Sequence, residues 1–141
     1  MESTLKQGMT FEFKYEVPPN KTVPHLFPEA TEFQDMPDVF ATGYLVGLIE
    51  WACIEAIKPH IDWPREQSVG IYINVDHSAA TPPGFTVTIK GTLTKVEGRK
   101  LTFEIVADDG ADKISEGRHQ RFIIDAARFN ESVKAKAEKK P

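Results

Sequence analysis

The run Thr42 to Lys58 constrains this chain more than any other stretch. Tyr44, Leu45, Val46, Leu48, Ile49, Trp51, Ala52, Cys53, Ile54 and Ile57 surround nearly the whole cylinder of the helix that this spacing predicts. A helix apolar on every side is a buried one. Pro59 ends it, because a proline ring cannot continue the helix. The chain has 141 residues, enough for one domain of ordinary size, residues 1–141. A sheet that small covers only part of such a helix. A second copy of the chain is therefore expected against it, as a homodimer, with a dimer of dimers left open.

The rest of the chain reads as strands. In Met9–Val17, Phe11, Phe13 and Tyr15 alternate with Glu12, Lys14 and Glu16, the pattern of a half-buried strand. Four more strand-like runs follow the helix: Val69–Ala79, Phe85–Val96, Leu101–Ala107 and Ile114–Ile124. Glu97-Gly98-Arg99 and Asp108-Asp109-Gly110 read as tight turns between them. One buried helix followed by four consecutive antiparallel strands predicts an α+β fold, a single sheet curled around the helix. Residues 127–139 read as a polar terminal helix pinned by Phe129 and Val133. Residues 18–41 hold five of the ten prolines together with Leu26, Phe27, Phe33, Met36 and Phe40. A long irregular stretch of this kind is a core cover or a lid-like binding loop.

Composition narrows the partners. Hydrophobic residues at 40% and charged residues at 27% fit a globular chain rather than a disordered one. A net charge of −4 argues against nonspecific nucleic-acid binding, because a phosphate backbone selects basic surfaces. Tyr44–Ile49 is too short to span a bilayer, so no membrane is expected. One cysteine, Cys53, allows no intrachain disulfide, and Met1–Met9 lacks the apolar core of a secretory signal. The expected compartment is the cytoplasm. The four histidines show no metal-ligand spacing and there is no glycine-rich phosphate loop, so neither metal nor organic cofactor is expected.

Glu50 is the sharpest chemical signal. It is the only charge between Thr42 and Ile54, and its helical neighbours are Val46, Gly47, Cys53 and Ile54. Burying an unpaired carboxylate costs several kcal/mol, so it needs a partner or a purpose. His77 falls on the apolar face of its predicted strand with Ile71, Ile73, Val75 and Ala79. Beside a helical Glu that this face should cover, it becomes an acid–base partner. Thr42 opens the helix, where threonine is a good N-cap. It lies about 12 Å along the axis from Glu50, so direct contact within one chain is not expected, though both could face one ligand. Taken alone, Gly70 reads as a strand-end glycine, Arg121 as a solvated strand residue alternating with His119 and Ile123, and Cys53 as core packing. Lys90, Lys95, Arg99 and Lys100 read as a solvated edge rather than a phosphate site.

Three segments carry a resemblance: Val17-Pro-Pro-Asn-Lys-Thr-Val23, Phe40-Ala-Thr-Gly-Tyr-Leu-Val-Gly-Leu-Ile-Glu-Trp-Ala-Cys53 and Val75-Asp-His-Ser-Ala-Ala-Thr-Pro-Pro-Gly84. They closely resemble the fluoroacetyl-CoA thioesterase family, over about Gly8 to Asn130. The resemblance implies the hot-dog fold, a long helix wrapped by an antiparallel sheet and paired as a dimer, and an acyl-CoA substrate. It implies a catalytic set of Thr42, Glu50 and His77, with Gly70 and Arg121 at the acyl end of the substrate. It also implies that the segment holding Phe33 and Met36 closes over the acyl group. An aromatic residue belongs at the position of Met36, and a flexible methionine is less shape-selective.

The resulting expectation is hydrolysis of a short acyl-CoA. Thr42 would be the nucleophile or orient water, Glu50 the base or itself the nucleophile, and His77 the proton shuttle. Backbone N–H groups near Gly70 or at the start of the helix could hold the oxyanion. A hydratase or dehydratase using the same carboxylate and histidine is the rival enzyme. A non-catalytic acyl-CoA-binding protein is the rival without turnover.

Overall fold

The computed structural model describes all of residues 1–141. The chain runs β1 (Thr10–Glu16), α1 (Thr31–Gln34), α2 (Thr42–Ile57), β2 (Glu66–Val75), β3 (Thr86–Glu97), β4 (Lys100–Asp108), β5 (Lys113–Asp125) and α3 (Ala126–Ala137). The five strands make one antiparallel sheet in the order β1-β3-β4-β5-β2. Helix α2 packs along the concave face, and the core of 19 buried residues lies between them.

Local patterning set most of these elements. Phe11, Phe13 and Tyr15 turn inward from β1 while their neighbours are exposed. Phe11 lies opposite Gly91 of β3, and its ring occupies the space a side chain there would need. Gly98, at φ +63°, makes the two-residue turn that lets Glu97 pair with Lys100.

The strands β3, β4 and β5 form the expected meander, but β2 does not join it on the β3 side. It pairs with β5 at the far edge, so the linker through Pro82 and Pro83 crosses the sheet instead of making a hairpin. The reason is polar: β2 has no tight turn behind it, since Thr81-Pro82-Pro83-Gly84 carries two residues without a backbone donor. Strand β2 also starts earlier and stops earlier than its periodicity suggests, and its register slips between Gly70 and Tyr72. Its exposed edge from Gly70 to Asn74 includes Ile71, Tyr72 and Ile73, all more than a third exposed.

Helix α2 is not covered on every side within one chain. Leu45, Leu48, Ile49, Ala52, Cys53 and Ile57 are buried, whereas Trp51 is 46% exposed and Val46 and Ile54 are half-buried. Residues 18–41 are irregular, apart from two 3-10 turns and the single turn of α1. They are closed on themselves by hydrogen bonds from Val23 N to Val39 O and from Ala41 N to Lys21 O. Helix α3 is capped by Asp125, whose side chain accepts from Arg128 N. It is not pinned by its apolar pair: Phe129 is 40% and Val133 is 51% exposed. No helix is long and apolar enough to cross a membrane.

Candidate active site

The candidate residues fall into two groups on one side of the sheet. The first is a pair at the start of α2. Ala41 occupies the N-cap without a side-chain hydrogen bond, and Thr42 is the first helical residue, not the cap. Its hydroxyl is free for another partner and meets His77 Nδ1 at 2.7 Å. His77 stands two residues beyond the end of β2, in the crossing linker, rather than on the strand face. Its neighbours hold it there: Asp76 N donates to Glu116 O and Ser78 N to Ile114 O. The other ring nitrogen, Nε2, is buried and has no partner. Burial pushes the His77 imidazole below its ordinary pKa, and the nearby Asp76 charge opposes this less strongly. The shift favours the neutral ring, the form that can accept a proton.

The first hydrogen bond of α2 runs from Leu45 N to Ala41 O. The N–H groups of the first turn before it have no carbonyl four residues back to bond. Thr42 and His77 line a cleft of about 280 Å³ beside this helix start, with Ser78, Ala79, Val23 and Phe40 among others. Free N–H groups and the positive end of the helix dipole favour an oxyanion there.

The second group is centred on Arg121. On β5 the residues His119, Arg121 and Ile123 alternate inward, opposite Phe103 and Leu101 of β4. The Arg121 guanidinium is 3% exposed. Its Nη1 donates to Glu50 Oε2 at 3.0 Å, its Nε to Ser68 Oγ at 2.8 Å and its Nη2 to Ser68 O at 2.8 Å. Nη1 also faces His119 Nε2 at 3.1 Å, and His119 Nδ1 meets the Tyr72 carbonyl at 2.8 Å. Burial is the main force lowering the His119 pKa, with the Arg121 charge adding to it against the Tyr72 hydrogen bond. Gly70 leaves room for the carboxylate, because a Cβ at that position would come within 2.7 Å of Glu50 Oε2. Glu50, Gly70, His119 and Val46 line a cleft of about 320 Å³ with the β2 residues Ile71, Tyr72 and Ile73.

Several expectations change. Glu50 is not a buried lone carboxylate: its side chain is 41% exposed and is paired with Arg121. Arg121 is not a solvated strand residue, because its alternation with Ile123 turns it inward. Thr42 and His77 come together, but neither contacts Glu50, two helical turns away. Phe33 stacks on Phe27 with centroids 5.8 Å apart, and Met36 is 50% exposed; neither lines the two clefts. Cys53 is buried core, with burial pushing its thiol up to about 12. Lys90, Lys95 and Lys100, on the inner strands β3 and β4, make surface ion pairs with Glu12 and Glu97, a solvated face rather than an edge, and Arg99 pairs with the buried Glu66. No group of three His, Cys, Asp or Glu side chains is placed to hold a metal ion. His119 and Ser68 were missed. The inward alternation that placed His77 among apolar neighbours, applied to β5, would have found His119.

Comparison with known proteins gives a consistent result. The family described as fluoroacetyl-CoA-specific thioesterase matches residues 23–127. The chain is 48% identical to the fluoroacetyl-CoA thioesterase of Streptantibioticus cattleyicolor over 136 residues, 96% of this chain and 97% of that one. A solved variant of the fluoroacetyl-CoA thioesterase FlK, in complex with fluoro-acetate, superposes with a TM-score of 0.91 at 47% identity, covering 97% of this chain and all of that one. A hot-dog-like protein from Thermanaerovibrio acidaminovorans shares the fold alone, at 18% identity and a TM-score of 0.76 over 92% of this chain and 91% of that one.

Proposed function

The chain belongs to the fluoroacetyl-CoA-specific thioesterase family and is a thioester hydrolase with the hot-dog fold, and from that premise we propose a site built of two half-sites from two subunits. It takes a short acyl-CoA, of acetyl or fluoroacetyl size, and yields the free acid and CoA.

The observation that carries this reading is the 2.7 Å contact between Thr42 Oγ1 and His77 Nδ1 beside unsatisfied helix N–H groups. Threonine is too weakly acidic to attack a carbonyl without a base, and a neutral imidazole in hydrogen-bond contact is such a base. Thr42 Oγ attacks the thioester carbon as His77 Nδ1 takes its proton. The carbonyl oxygen becomes an oxyanion and is held by the N–H groups at the start of α2. Collapse expels the CoA sulfur, which receives the proton from His77. The acyl ester left on Thr42 is then hydrolysed by water, with Glu50 as the base.

Glu50 of the same chain is poorly placed for that step. It sits about 12 Å along α2 from Thr42, beyond direct contact with the Thr42–His77 pair. Antiparallel pairing of two β2 edges through Gly70–Asn74, centred on Tyr72, sets Gly70 of the partner subunit opposite Asn74. That pairing brings the Glu50 end of the partner subunit's site alongside the His77 end of this one, so that the two can share one substrate. The exposed Ile71, Tyr72 and Ile73 and the half-covered face of α2 support this pairing. An exposed apolar edge strand is a template for pairing with another chain.

Gly70 and Arg121 contact the acyl end in this reading, and the segment with Phe33 and Met36 closes over it. Thiol release should be measured from acetyl-, fluoroacetyl-, propionyl- and longer acyl-CoAs, with Glu50→Ala as control. Release that vanishes in the variant is expected, with a modest preference for fluoroacetyl because Met36 is pliable. No release from any of them would sink the hydrolase reading. Mixing inactive His77→Ala and Glu50→Ala proteins should restore part of the activity, since one site of the mixed dimer is intact. A mixture as inactive as its parts overturns the shared site.

A further inference from the structure

We infer that His119 is a positioning residue that fixes Arg121 against Glu50. Its two ring nitrogens have partners of opposite kind. The Tyr72 carbonyl can only accept, so Nδ1 carries the proton. The Arg121 guanidinium can only donate, so Nε2 presents a lone pair to Nη1. The surroundings therefore select one tautomer, the neutral ring protonated on Nδ1.

That tautomer does something no apolar residue could do. Arg121 Nη1 carries two N–H groups. One points at Glu50 Oε2 and the other at His119 Nε2, while Nε and Nη2 are held by Ser68. The guanidinium is planar, so anchoring three of its nitrogens fixes the fourth direction, the one toward Glu50. His119 is 2% exposed and both its ring nitrogens are already paired, so it acts through Arg121 rather than on substrate. The groups facing it are Glu50 from α2, Arg121 from its own strand, the Tyr72 carbonyl from β2 and the apolar Phe103 from β4. Burial and the Arg121 charge disfavour a protonated ring, against the Tyr72 carbonyl and the Glu50 carboxylate that Arg121 already holds.

The same ring also ties the irregular part of β2, where the register slips, to β5. That second bond gives a competing explanation, in which His119 serves only the strand. Two amide substitutions separate the two. His119→Gln places an acceptor near the position of Nε2 and keeps the Arg121 bond. His119→Asn places a donor near Nδ1 and keeps the Tyr72 bond.

The kinetic test rests on the thioesterase reading above. With acetyl-CoA, His119→Gln should keep most of the wild-type kcat. His119→Asn should lose about 10²-fold in kcat with little change in KM, as expected when a catalytic carboxylate is misplaced by about 1 Å. Asparagine as active as glutamine, or more active, overturns the inference in favour of the strand role. Thermal unfolding of both variants shows whether either has simply failed to fold. A second measurement is independent of turnover: nitrogen NMR of the histidine-labelled whole protein at neutral pH should show His119 protonated on Nδ1, with Nε2 accepting a hydrogen bond. An Nε2-protonated ring overturns the proposal even if thiol release is normal. A wild type without thiol release sinks the thioesterase reading, and the NMR result then decides His119 by itself.

Discussion

The two halves of the proposed site are built on opposite plans. Around Arg121 almost every donor and acceptor is spent: Glu50, Ser68 and His119 each have a defined partner, and Gly70 is kept bare so that the carboxylate fits. Around Thr42 the reverse holds. The helix begins on Ala41 without a capping side chain, its first N–H groups are free, and His77 Nε2 is buried without a partner. An unpaired buried polar atom costs about 1–3 kcal/mol. A chain that tolerates this at one place and satisfies everything at another is separating two tasks. The over-determined half holds a charge still, and the under-satisfied half waits for a group that arrives from outside.

The sharpest break in that comparison would come from the sparse half. His77→Ala should cost about 10²–10⁴-fold in kcat, the range for losing an acid–base group, with little change in unfolding free energy. Thr42→Ala should fall as far, since the pair acts as a unit. Stopped-flow thiol detection and denaturant titration check both sides. A large stability loss in either variant would mean that the pair is structural after all.

The dense half should respond in the opposite way. Arg121→Leu leaves the Ser68 carbonyl and the Glu50 carboxylate without their donor. We expect a loss of about 1–3 kcal/mol in denaturant unfolding, limited because Glu50 can turn toward water. Unchanged stability would show that the network is slack and would remove the contrast.

Gly70→Ala tests the geometry with less damage. A Cβ 2.7 Å from Glu50 Oε2 must displace the carboxylate, which is the movable end of a flexible side chain. Activity should fall by about 10-fold or somewhat more while stability stays close to wild type. Full activity would mean that the position of Glu50 is not critical.

The smallest effect is on pH dependence. His77 and His119 both have folded pKa values lowered by burial. The unfolded chain then binds protons more readily between the folded values and the ordinary histidine value of about 6.5. Stability should be fully present above that value and decline as pH falls below it. Chemical denaturation at stepped pH from 7.5 to 5 should show the decline, and His119→Gln should make it shallower. A slope unchanged by that substitution would mean that His119 does not titrate in the window.

The sequence determined the elements, because they depend on neighbours. The apolar cylinder of α2, the alternation of β1, the turn at Gly98 and the buried, inert Cys53 all follow from residues a few positions apart. It also picked out Glu50 and His77 as chemically odd, since each breaks a local pattern, whereas Thr42 read as an ordinary cap and stood out only through the family resemblance. Which of them meet was decided by the sheet order alone. With β2 carried past β3 to the β5 edge, Glu50 finds Arg121, 71 residues away, and His77 swings off the strand to Thr42, 35 residues away. Local periodicity says which face a side chain takes but not which strand lies beside it. A one-strand change in pairing gives every polar group a new partner while leaving every local pattern intact, and that is why only the tertiary structure could separate the site into its two halves.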